Sequence, residues 1–365
     1  MNLNQNLLRG IFNHGFEQPS DIQEKSITNI LTGQDIIIQS QSGTGKTACF
    51  AISILQTINA SENNVQAMII APTRELAIQI NTVLLSIGKY IQNLKTILAI
   101  GGTKSNLNGG QVVIGTPGRI YDLLNNNRID STHIKMFVLD EADEMLSGGF
   151  INQIKEIYGL LESDQIQNII LSATMSTEII DITENFMNNP LKILLKSDNL
   201  TLEGIRQFYI NVEKEQWKLP TIYDLYDNIS VKQTIIFVNT KQKLEWVYQQ
   251  MRNKNYPITM IHGSLSQDER NDILQKFKNG NIRMLLSSDI FARGIDVQQV
   301  SLVINYDLPN NIENYIHRIG RSGRYGRKGI SINLVTTDDL KTQSQICTYY
   351  NTNINELPSD LSNIL

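Results

Sequence analysis

The sequence predicts an α/β protein built from two doubly wound units, each with a parallel β-sheet between layers of helices. Short runs of apolar and β-branched residues alternate along the chain with longer segments whose apolar residues recur at helical spacing. The chain also has 365 residues, which is more than one hydrophobic core usually serves. These two observations together favour two domains of the same class.

The strand-like runs are apolar along their whole length, as is typical of strands that are buried on both faces of a sheet. In the first half of the chain they lie at 35–39, 67–71, 96–100, 111–114, 136–139 and 168–171. Amphipathic spacing between them predicts helices at 46–58, 74–90 and 151–161. The alternation resumes with strands at 205–212, 234–238, 259–261, 283–286 and 301–305, and with helices at 241–251, 267–277 and 312–318.

A polar segment interrupts the alternation and marks the predicted junction between the two units. We expect a first domain at 1–196, a linker at 197–204 and a second domain at 205–365.

Composition excludes several classes of protein. No apolar run approaches the roughly 18 residues of a membrane span, and the polar first residues do not resemble a secretory signal. We therefore expect a cytoplasmic protein, with the nucleus as the alternative. Cys49 and Cys347 are far apart and lack CxxC spacing, so they indicate core residues rather than a disulfide or a zinc site.

The net charge of −4 argues against a protein that coats nucleic acid through overall positive charge. Any contact with RNA or DNA must then be local. Basic residues at 318, 321, 324, 327 and 328 are interleaved with glycines at 320, 323, 326 and 329. A solvated loop is one interpretation, but glycines that let the backbone approach phosphates favour a binding segment.

A phosphate-loop pattern follows the first predicted strand and opens a predicted helix. It departs from the strict pattern only in having Ser40 as its first residue instead of glycine. Backbone amides would cradle phosphates at the helix N-terminus, Lys46 would reach the β and γ oxygens, and Thr47 would bind Mg²⁺. A plain glycine-rich turn is the alternative. The expected ligand is ATP, and the expected contacts are Ser42, Gly43, Thr44, Gly45, Lys46 and Thr47.

Two adjacent carboxylates end the apolar run 135–139. Asp140 is placed to hold Mg²⁺ through its water shell, and Glu141 to orient and deprotonate the attacking water. A solvated helix start is the alternative, but it does not explain Asp143 or the later run Ser-Ala-Thr at 172–174. The combination predicts hydrolysis of ATP.

An ordered set of motifs over nearly the whole chain resembles the DEAD-box RNA helicases. The first half contains Phe16 with Gln23, the loop 40–47, 72–77, 101–102, 116–119, Asp-Glu-Ala-Asp at 140–143 and 172–174. The second half contains 236–240, Gln267 with Arg270, 292–296 and 317–324. The resemblance implies two tandem RecA-like domains, with a glutamine motif at 10–26. Segments 135–147, 202–212, 293–309 and 315–329 are most similar to the translation initiation factor 4A branch, and the exon junction branch is the alternative.

The resemblance implies a role for each motif residue around the nucleotide. Phe16 would stack on adenine, and the amide of Gln23 would read its amino edge. The second lobe would supply Asp296 for the ribose and Arg321 and Arg324 as arginine fingers. Relay between the lobes is implied for Asp143, Ser172, Thr174 and His317, although a core histidine is an alternative interpretation of the last.

The resemblance also implies that single-stranded RNA binds without sequence preference. Helix N-termini and glycine amides contact phosphates without reading bases, and contacts to the 2′-hydroxyl distinguish RNA from DNA. The implied residues are Pro72, Thr73, Arg74, Gly101, Gly102, Thr116, Gly118 and Arg119 in the first half, and Thr240, Gly263, Gln267, Arg270 and Ser287 in the second.

We therefore expect an RNA-dependent ATPase that clamps RNA between two lobes and separates short duplexes, in mRNA 5′ regions during translation initiation. The expected form is a monomer without membrane contact, and the expected partner is the scaffold subunit of the cap-binding complex.

One alternative is a clamp that stays on RNA as an assembly platform. A DNA translocase is a weaker alternative because Gln23 and the Asp-Glu-Ala-Asp motif indicate the RNA helicases. Serines at 40, 176, 264 and 288 depart from the family pattern but are small or polar exchanges.

Overall fold

The computed structural model describes residues 2–39, 45–102, 109–147, 149–162, 165–175, 180–181, 186–194, 204–229, 233–289, 300–322 and 329–358. The chain divides into two compact units, Met1–Leu195 and Lys196–Leu365. The linker predicted at 197–204 lies outside the described residues except for Gly204. No helix within the described ranges is both long and apolar enough to cross a membrane.

The first unit is a parallel sheet with seven strands among the described residues, in the spatial order β3-β4-β2-β5-β6-β1-β7. Its strands are β1 (Ile36–Gln39), β2 (Ala67–Ile70), β3 (Thr96–Ala99), β4 (Val112–Gly115), β5 (Met136–Leu139), β6 (Gln167–Ser172) and β7 (Leu191–Ile193). Its helices are α1 (Gln5–Asn13), α2 (Asp21–Ile30), α3 (Lys46–Thr57), α4 (Arg74–Ile87), α5 (Pro117–Asn125), α6 (Ala142–Ser147) and α7 (Ile151–Gly159).

The central strands of this sheet supply side chains to two hydrophobic cores. Ile36 and Ile38 of β1 belong to the core shared with α1, α2, α3 and α4, whereas Ile37 belongs to the core shared with α5, α6 and α7. Successive side chains of a strand point to opposite faces, so a strand covered by helices on both sides must be apolar at every position. This explains why the strands lack the alternation of polar and apolar residues.

The second unit has the same architecture, with the described strands in the order β10-β11-β9-β12-β13-β8-β14. Its strands are β8 (Ile205–Glu213), β9 (Gln233–Phe237), β10 (Ile258–Ile261), β11 (Met284–Ser287), β12 (Val300–Asn305), β13 (Gly329–Thr336) and β14 (Asn355–Glu356). Its helices are α8 (Lys218–Asn228), α9 (Lys241–Asn253), α10 (Gln267–Lys278), α11 (Glu313–Ile319) and α12 (Leu340–Tyr349).

The strand orders of the two sheets correspond position by position, with β8 in the place of β1, β9 in the place of β2, and so on to β14. All neighbouring strands pair in parallel. The predicted fold class of two doubly wound parallel-sheet domains is therefore confirmed. Cys49 is fully buried in a core of the first unit, as expected. Cys347 is partly buried and packs against a hydrophobic core of the second unit.

Every strand and helix predicted above is present, with ends that move by a few residues, but several elements were not predicted. The longest strand that was not predicted is β13, which is buried along its whole length. Its serine and asparagine at 331 and 333 have the alternation of a half-exposed strand, yet both are fully buried. Asn333 is accommodated because it accepts a hydrogen bond from Asn305 at 2.8 Å and donates one to the Tyr315 hydroxyl at 3.3 Å. The other omissions are α1, α2, α5, α6, α8, α12, β7 and β14.

Helix α1 lies so close to α4 that Gly10 has no room for a side chain, because a Cβ there would lie 1.8 Å from the Ile87 carbonyl oxygen. We expect Gly10→Ala to lower the free energy of unfolding by about 1–3 kcal/mol, despite the better helix propensity of alanine. Gly159, the last residue of α7, has no atom within 4 Å of the corresponding position. The matched Gly159→Ala should therefore leave stability unchanged or raise it by up to about 1 kcal/mol. Urea denaturation followed by circular dichroism measures both, and equal losses would contradict the close packing of α1.

Candidate functional site

The predicted site residues of the first unit lie along one edge of its sheet, where the carboxyl ends of all parallel strands meet. The start of α3, which follows β1, and the segment after β5 carry predicted nucleotide residues, and the end of β6 carries predicted coupling residues, whereas Phe16 and Gln23 precede β1. Loops after β3, β4 and β2 carry the predicted RNA residues. Because the spatial order is β3-β4-β2-β5-β6-β1, the two sets occupy adjoining halves of that edge. Ligands of open α/β sheets bind at this edge.

The start of α3 is held by the side chain of Gln23. Gly45 caps this helix with a φ of 84°, in the left-handed region that favours glycine. The Gln23 Nε2 donates to the Gly45 carbonyl oxygen at 3.3 Å, and its Oε1 accepts from the Ser20 amide at 2.9 Å within a capping box of α2. These bonds use half of the four hydrogen-bonding positions of a glutamine amide, so one donor and one acceptor position remain for a ligand. Ser42, Gly43 and Thr44 lie outside the described residues.

The second predicted adenine contact lies on the same side of the unit. Phe16 is half-buried against the first hydrophobic core, and its ring packs on His14 with the centroids 4.7 Å apart. An aromatic ring held in this way has one supported face and a partly exposed surface, which suits stacking.

Asp140 and Glu141 follow β5 directly, and only 3% and 6% of their surfaces are exposed. The Glu141 amide donates to Asp140 Oδ1 at 3.0 Å. Burial raises the pKa of Asp140 to about 7, although the positive charge of Lys46 opposes this shift. Glu141 has a φ of 54°, a left-handed conformation that costs a non-glycine residue about 1–2 kcal/mol. Asp140 is therefore buried within reach of the positive charge of Lys46, and the buried Glu141 beside it has a strained backbone.

The residues at this point suit Mg²⁺. Asp140 offers carboxylate oxygens, and Thr47 offers a hydroxyl in the first turn of α3. Mg²⁺ prefers oxygen ligands and retains water, and a dication would supply the positive charge that the buried Asp140 lacks. Within the described part of the chain, no group of three or more His, Cys, Asp or Glu residues could hold a metal. An ion bound here would therefore take further ligands from water or from a nucleotide phosphate.

A buried hydrogen-bond pair connects the carboxylate motif to the end of β6. The Thr174 hydroxyl donates to Asp143 Oδ2 at 3.1 Å, and the Ser172 hydroxyl donates to the Thr174 carbonyl oxygen at 2.5 Å. Asp143 and Ser172 are fully buried, and Thr174 is 4% exposed. The structure therefore brings together the three first-unit residues for which a coupling role was predicted.

The predicted RNA residues of the first unit occupy two helix N-termini and a glycine turn. Thr73 caps α4, and its hydroxyl accepts from the Leu76 amide at 3.2 Å. Thr116 caps α5, whose first turn includes Gly118. Such termini bind phosphates through free amides and the helix dipole. Pro72 immediately precedes the cap of α4 and follows the end of β2.

Two arginines of this region have well-defined neighbours. A Cβ at Gly101 would lie 2.7 Å from Nη2 of Arg74, so the guanidinium occupies the space that the missing side chain leaves. Gly102 has a φ of 82°, which again favours glycine. Arg119 pairs with Asp122 at 2.5 Å, so part of its charge is engaged within α5.

The predicted RNA residues of the second unit lie after the three neighbouring strands β10, β11 and β9. Thr240 caps α9, and its hydroxyl accepts from the Lys243 amide at 3.3 Å. Gly263 follows β10, and Gln267 begins α10, where its Oε1 accepts from Nη2 of Arg270 at 2.5 Å. Ser287 differs from the others because it is fully buried and its hydroxyl donates to the Ser288 carbonyl oxygen at 3.0 Å.

His317 lies on α11, the helix that follows β12, and Arg321 lies immediately after this helix. They are 1% and 3% exposed, and Nε of Arg321 donates to the His317 carbonyl oxygen at 3.0 Å. Burial of His317 is compatible with the core-histidine interpretation, so its relay role stays a prediction. Asp296 and Arg324 lie outside the described residues.

Arg318 shows where sequence reasoning failed, because it was grouped with the basic segment and is in fact fully buried. Its guanidinium donates to Asp289 Oδ1 at 2.5 Å, to Asn239 Oδ1 at 2.6 Å and to the Asp307 carbonyl oxygen at 2.6 Å. Asp307 in turn binds Lys218 at 3.1 Å and Lys243 at 2.8 Å. The basic segment is therefore not uniformly a phosphate-facing surface. The one feature of the sequence that indicated a buried polar cluster was Asp307, a charged residue shortly after the end of an apolar strand.

Comparison with protein families gives two matches, one in each unit. Residues 20–182 match the profile of DEAD/DEAH box helicases, and residues 217–326 match the helicase conserved C-terminal domain. Eukaryotic initiation factor 4A of Caenorhabditis elegans is 51% identical over 371 residues, covering 100% of this chain and 92% of that protein.

Solved structures of RNA-bound proteins share this fold over almost the whole chain. S. cerevisiae Dbp5 bound to RNA and ADP BeF3 has a TM-score of 0.93 and 33% identity, covering 99% of this chain and 95% of that one. Mss116p bound to single-stranded RNA and AMP-PNP has a TM-score of 0.88 and 28% identity, covering 98% of this chain and 78% of that one.

The raised pKa of Asp140 makes a prediction about stability in the absence of nucleotide. Its ordinary value is 3.8 and its folded value is about 7, so this residue's contribution to folding stability is complete below pH 4 and is lost as the pH rises to 7. We expect Asp140→Asn to gain stability over the unaltered protein across that interval, by on the order of 4 kcal/mol at most, and to hold the gain above pH 7. Denaturant titrations between pH 5 and 8 measure the difference. Asp272→Asn, at an exposed ion pair on α10, is the control, and a pH-independent difference for Asp140→Asn would contradict the assignment.

Proposed function

The chain belongs to the DEAD-box helicase family of ATP-dependent RNA helicases, and we propose that it unwinds the 5′ regions of mRNA in translation initiation. The 51% identity over the whole chain with an initiation factor 4A supports this role. The observation that supports the chemistry is the strand order, which puts the predicted nucleotide residues and the predicted RNA residues on adjoining halves of one sheet edge, on either side of the β2–β5 pair.

In the proposed mechanism the first unit binds Mg²⁺ and ATP. Amides at the start of α3 and the side chain of Lys46 would hold the phosphates, while Thr47 and Asp140 would hold Mg²⁺. The ion would supply charge stabilisation at the transferred phosphoryl group. Glu141 would be the general base, because its side chain is buried and lies close enough to Asp140 for its charge to raise the Asp140 pKa.

ATP and RNA would each favour a closed arrangement of the two units, and so each would strengthen the binding of the other. Arg321 and Arg324 would then complete the ATP site, a contribution that is typically worth about 10³–10⁵ in rate for an arginine finger. A strand bent within such a clamp cannot remain in a duplex. Hydrolysis and release of phosphate would reopen the clamp, which gives local strand separation without processive movement.

The RNA contacts support binding without sequence preference. The predicted contacts are helix caps at Thr73, Thr116 and Thr240 and glycine turns, and groups of this kind would bind the RNA backbone instead of the base edges. Substrate choice would then depend on partner proteins. We propose a cytoplasmic monomer that associates with the scaffold subunit of the cap-binding complex.

A second candidate is an ATP-gated clamp that remains on RNA as an assembly platform. It uses the same residues, so the two candidates differ only in how long RNA stays bound after ATP is added. A helicase should release single-stranded RNA at the rate of ATP turnover, whereas a platform should retain it through many turnover times. Dissociation of a fluorescent RNA, measured beside phosphate release in the same sample, separates the two.

RNA-stimulated ATP hydrolysis is the direct test of the proposed function. We expect single-stranded RNA to stimulate turnover strongly and DNA of the same sequence to stimulate it weakly, because contacts to the 2′-hydroxyl are absent from DNA. Glu141→Gln should reduce the turnover number by about 10²–10⁴, the usual contribution of a general base, while ATP binding is retained. Steady-state phosphate release and nucleotide binding measure both quantities.

Glu156→Gln on the exposed side of α7 makes the same chemical change away from the site and should behave as the unaltered protein. Equal stimulation by RNA and DNA would count against the RNA assignment. Full activity of Glu141→Gln would remove Glu141 from the mechanism.

A further inference from the structure

We propose that the second unit carries a separate binding site for a small zwitterion with an apolar body, such as a free apolar amino acid, at the amino edge of its sheet. The site is a cavity of about 330 Å³ between the last turns of α8 and the first residues of β9, β11 and β12. A volume of this size falls within the range of small-molecule pockets. The proposal does not depend on the proposed helicase function.

The floor of this cavity is apolar and fixed by strand pairing. Thr234 of β9 lies opposite Met284 of β11 and Leu302 of β12 in the sheet register, so the three side chains meet at one level. Ile222 and Leu225 of α8 close the floor from the helix side, and both are buried. A leucine or phenylalanine side chain would bury apolar surface on this floor, at about 25 cal/mol for each Å² removed from water.

Thr234 adds a polar group inside the cavity. It lines the cavity and is only 4% exposed. Its amide donates to the Arg283 carbonyl oxygen at 2.8 Å, which connects β9 to the residue before β11. A threonine hydroxyl can both donate and accept, so Thr234 offers a ligand a polar contact within an otherwise apolar floor.

The rim of the cavity presents one charge of each sign. Arg283 and Asp227 both line it and are exposed, and neither side chain has an ion pair or a hydrogen bond within the described part of the chain. An apolar floor with one free cation and one free anion at its mouth matches a ligand with neighbouring carboxylate and ammonium groups.

One wall of the cavity is held in place by stacked aromatic rings. Tyr226 packs edge-on against Tyr256 with centroids 5.0 Å apart, and Tyr256 stacks on Tyr223 at 5.0 Å with an interplanar angle of 12°. Lys254 lies over the outer face of Tyr223, with its Nζ 4.1 Å from the ring centroid. These contacts fix the Tyr226 side chain at the cavity mouth, so little conformational entropy is lost when a ligand binds.

The cavity is distinct from the edge that carries the helicase residues. Thr234 is near the amino end of β9, and Thr240 follows the carboxyl end. The length of β9, at about 3.3 Å for each residue, separates the two. A ligand in the cavity therefore has no direct access to the predicted RNA or nucleotide contacts of this unit.

Ligand-observed NMR with the full chain tests the proposal, using three probes of one shape. L-Phenylalanine carries both charges, 3-phenylpropionate lacks the ammonium group, and 2-phenylethylamine lacks the carboxylate. We expect L-phenylalanine to bind saturably with a dissociation constant of about 1 mM or below, and each single-charge analogue to bind about three- to fivefold more weakly.

Charge variants of the rim give the matched comparison. Arg283→Gln and Asp227→Asn should each weaken L-phenylalanine binding about three- to fivefold, the effect of one solvent-exposed charge pair. Asp224→Asn on the same helix and Arg252→Gln at the end of α9 remove exposed charges outside the cavity lining and should change the binding by less than about twofold. Thr234→Val tests the hydroxyl, and its melting temperature checks the fold.

The binding measurements either support or overturn the proposed site. Saturable binding that falls only with the two rim variants supports the site. Absence of saturable binding, equal binding of the three probes, or equal losses in the rim and control variants would overturn the proposal. None of these results bears on RNA-stimulated ATP hydrolysis, so failure here leaves the proposed function intact.

Discussion

Parallel pairing of buried strands is the constraint on which the rest of this protein depends. Neighbouring strands run in register, for example from Met136 opposite Gln167 to Leu139 opposite Ile170, so they reach the carboxyl edge of the sheet together. Loops that are distant in sequence therefore end side by side, and the hydrophobic burial that drives sheet formation also assembles the site. The second unit repeats the strand order, and so it repeats the layout of its edge.

Polar groups inside these layers are tolerated because the fold supplies their partners. Asp35 accepts hydrogen bonds from the amides of Asn168 and Asn188, at 2.7 and 2.8 Å, and thereby joins β6 to the segment before β7. In the second unit, burial alone would raise the pKa of Asp307, but the hydrogen bond from Lys243 and the charge of Lys218 outweigh it and lower the pKa. At Asp140 the charge of Lys46 and the hydrogen bond from the Glu141 amide do not outweigh burial, so the pKa stays raised. This difference separates a structural carboxylate from one that is prepared for a ligand.

The sequence was sufficient for the fold class and for most strands, because strands buried on both faces have a strong and simple pattern. It was also sufficient to place Asp140 at the end of a strand, because this residue follows an apolar run directly, and to place Lys46 and Thr73 at helix starts that follow strands. It failed for β13 and for Arg318, where buried polar side chains depend on partners that are far away in the chain. Local pattern cannot reveal such pairing, because the same residues in isolation resemble a solvent-exposed surface.

The left-handed backbone at Glu141 has a consequence for protein engineering. A glycine or an asparagine adopts this conformation with less strain, so either residue at position 141 should give a more thermostable protein than the wild-type glutamate. Selection for thermostability alone would therefore favour variants that have lost the Glu141 carboxyl group, and expression and solubility screens would not detect this loss. Thermostable libraries of this protein therefore need this codon held constant.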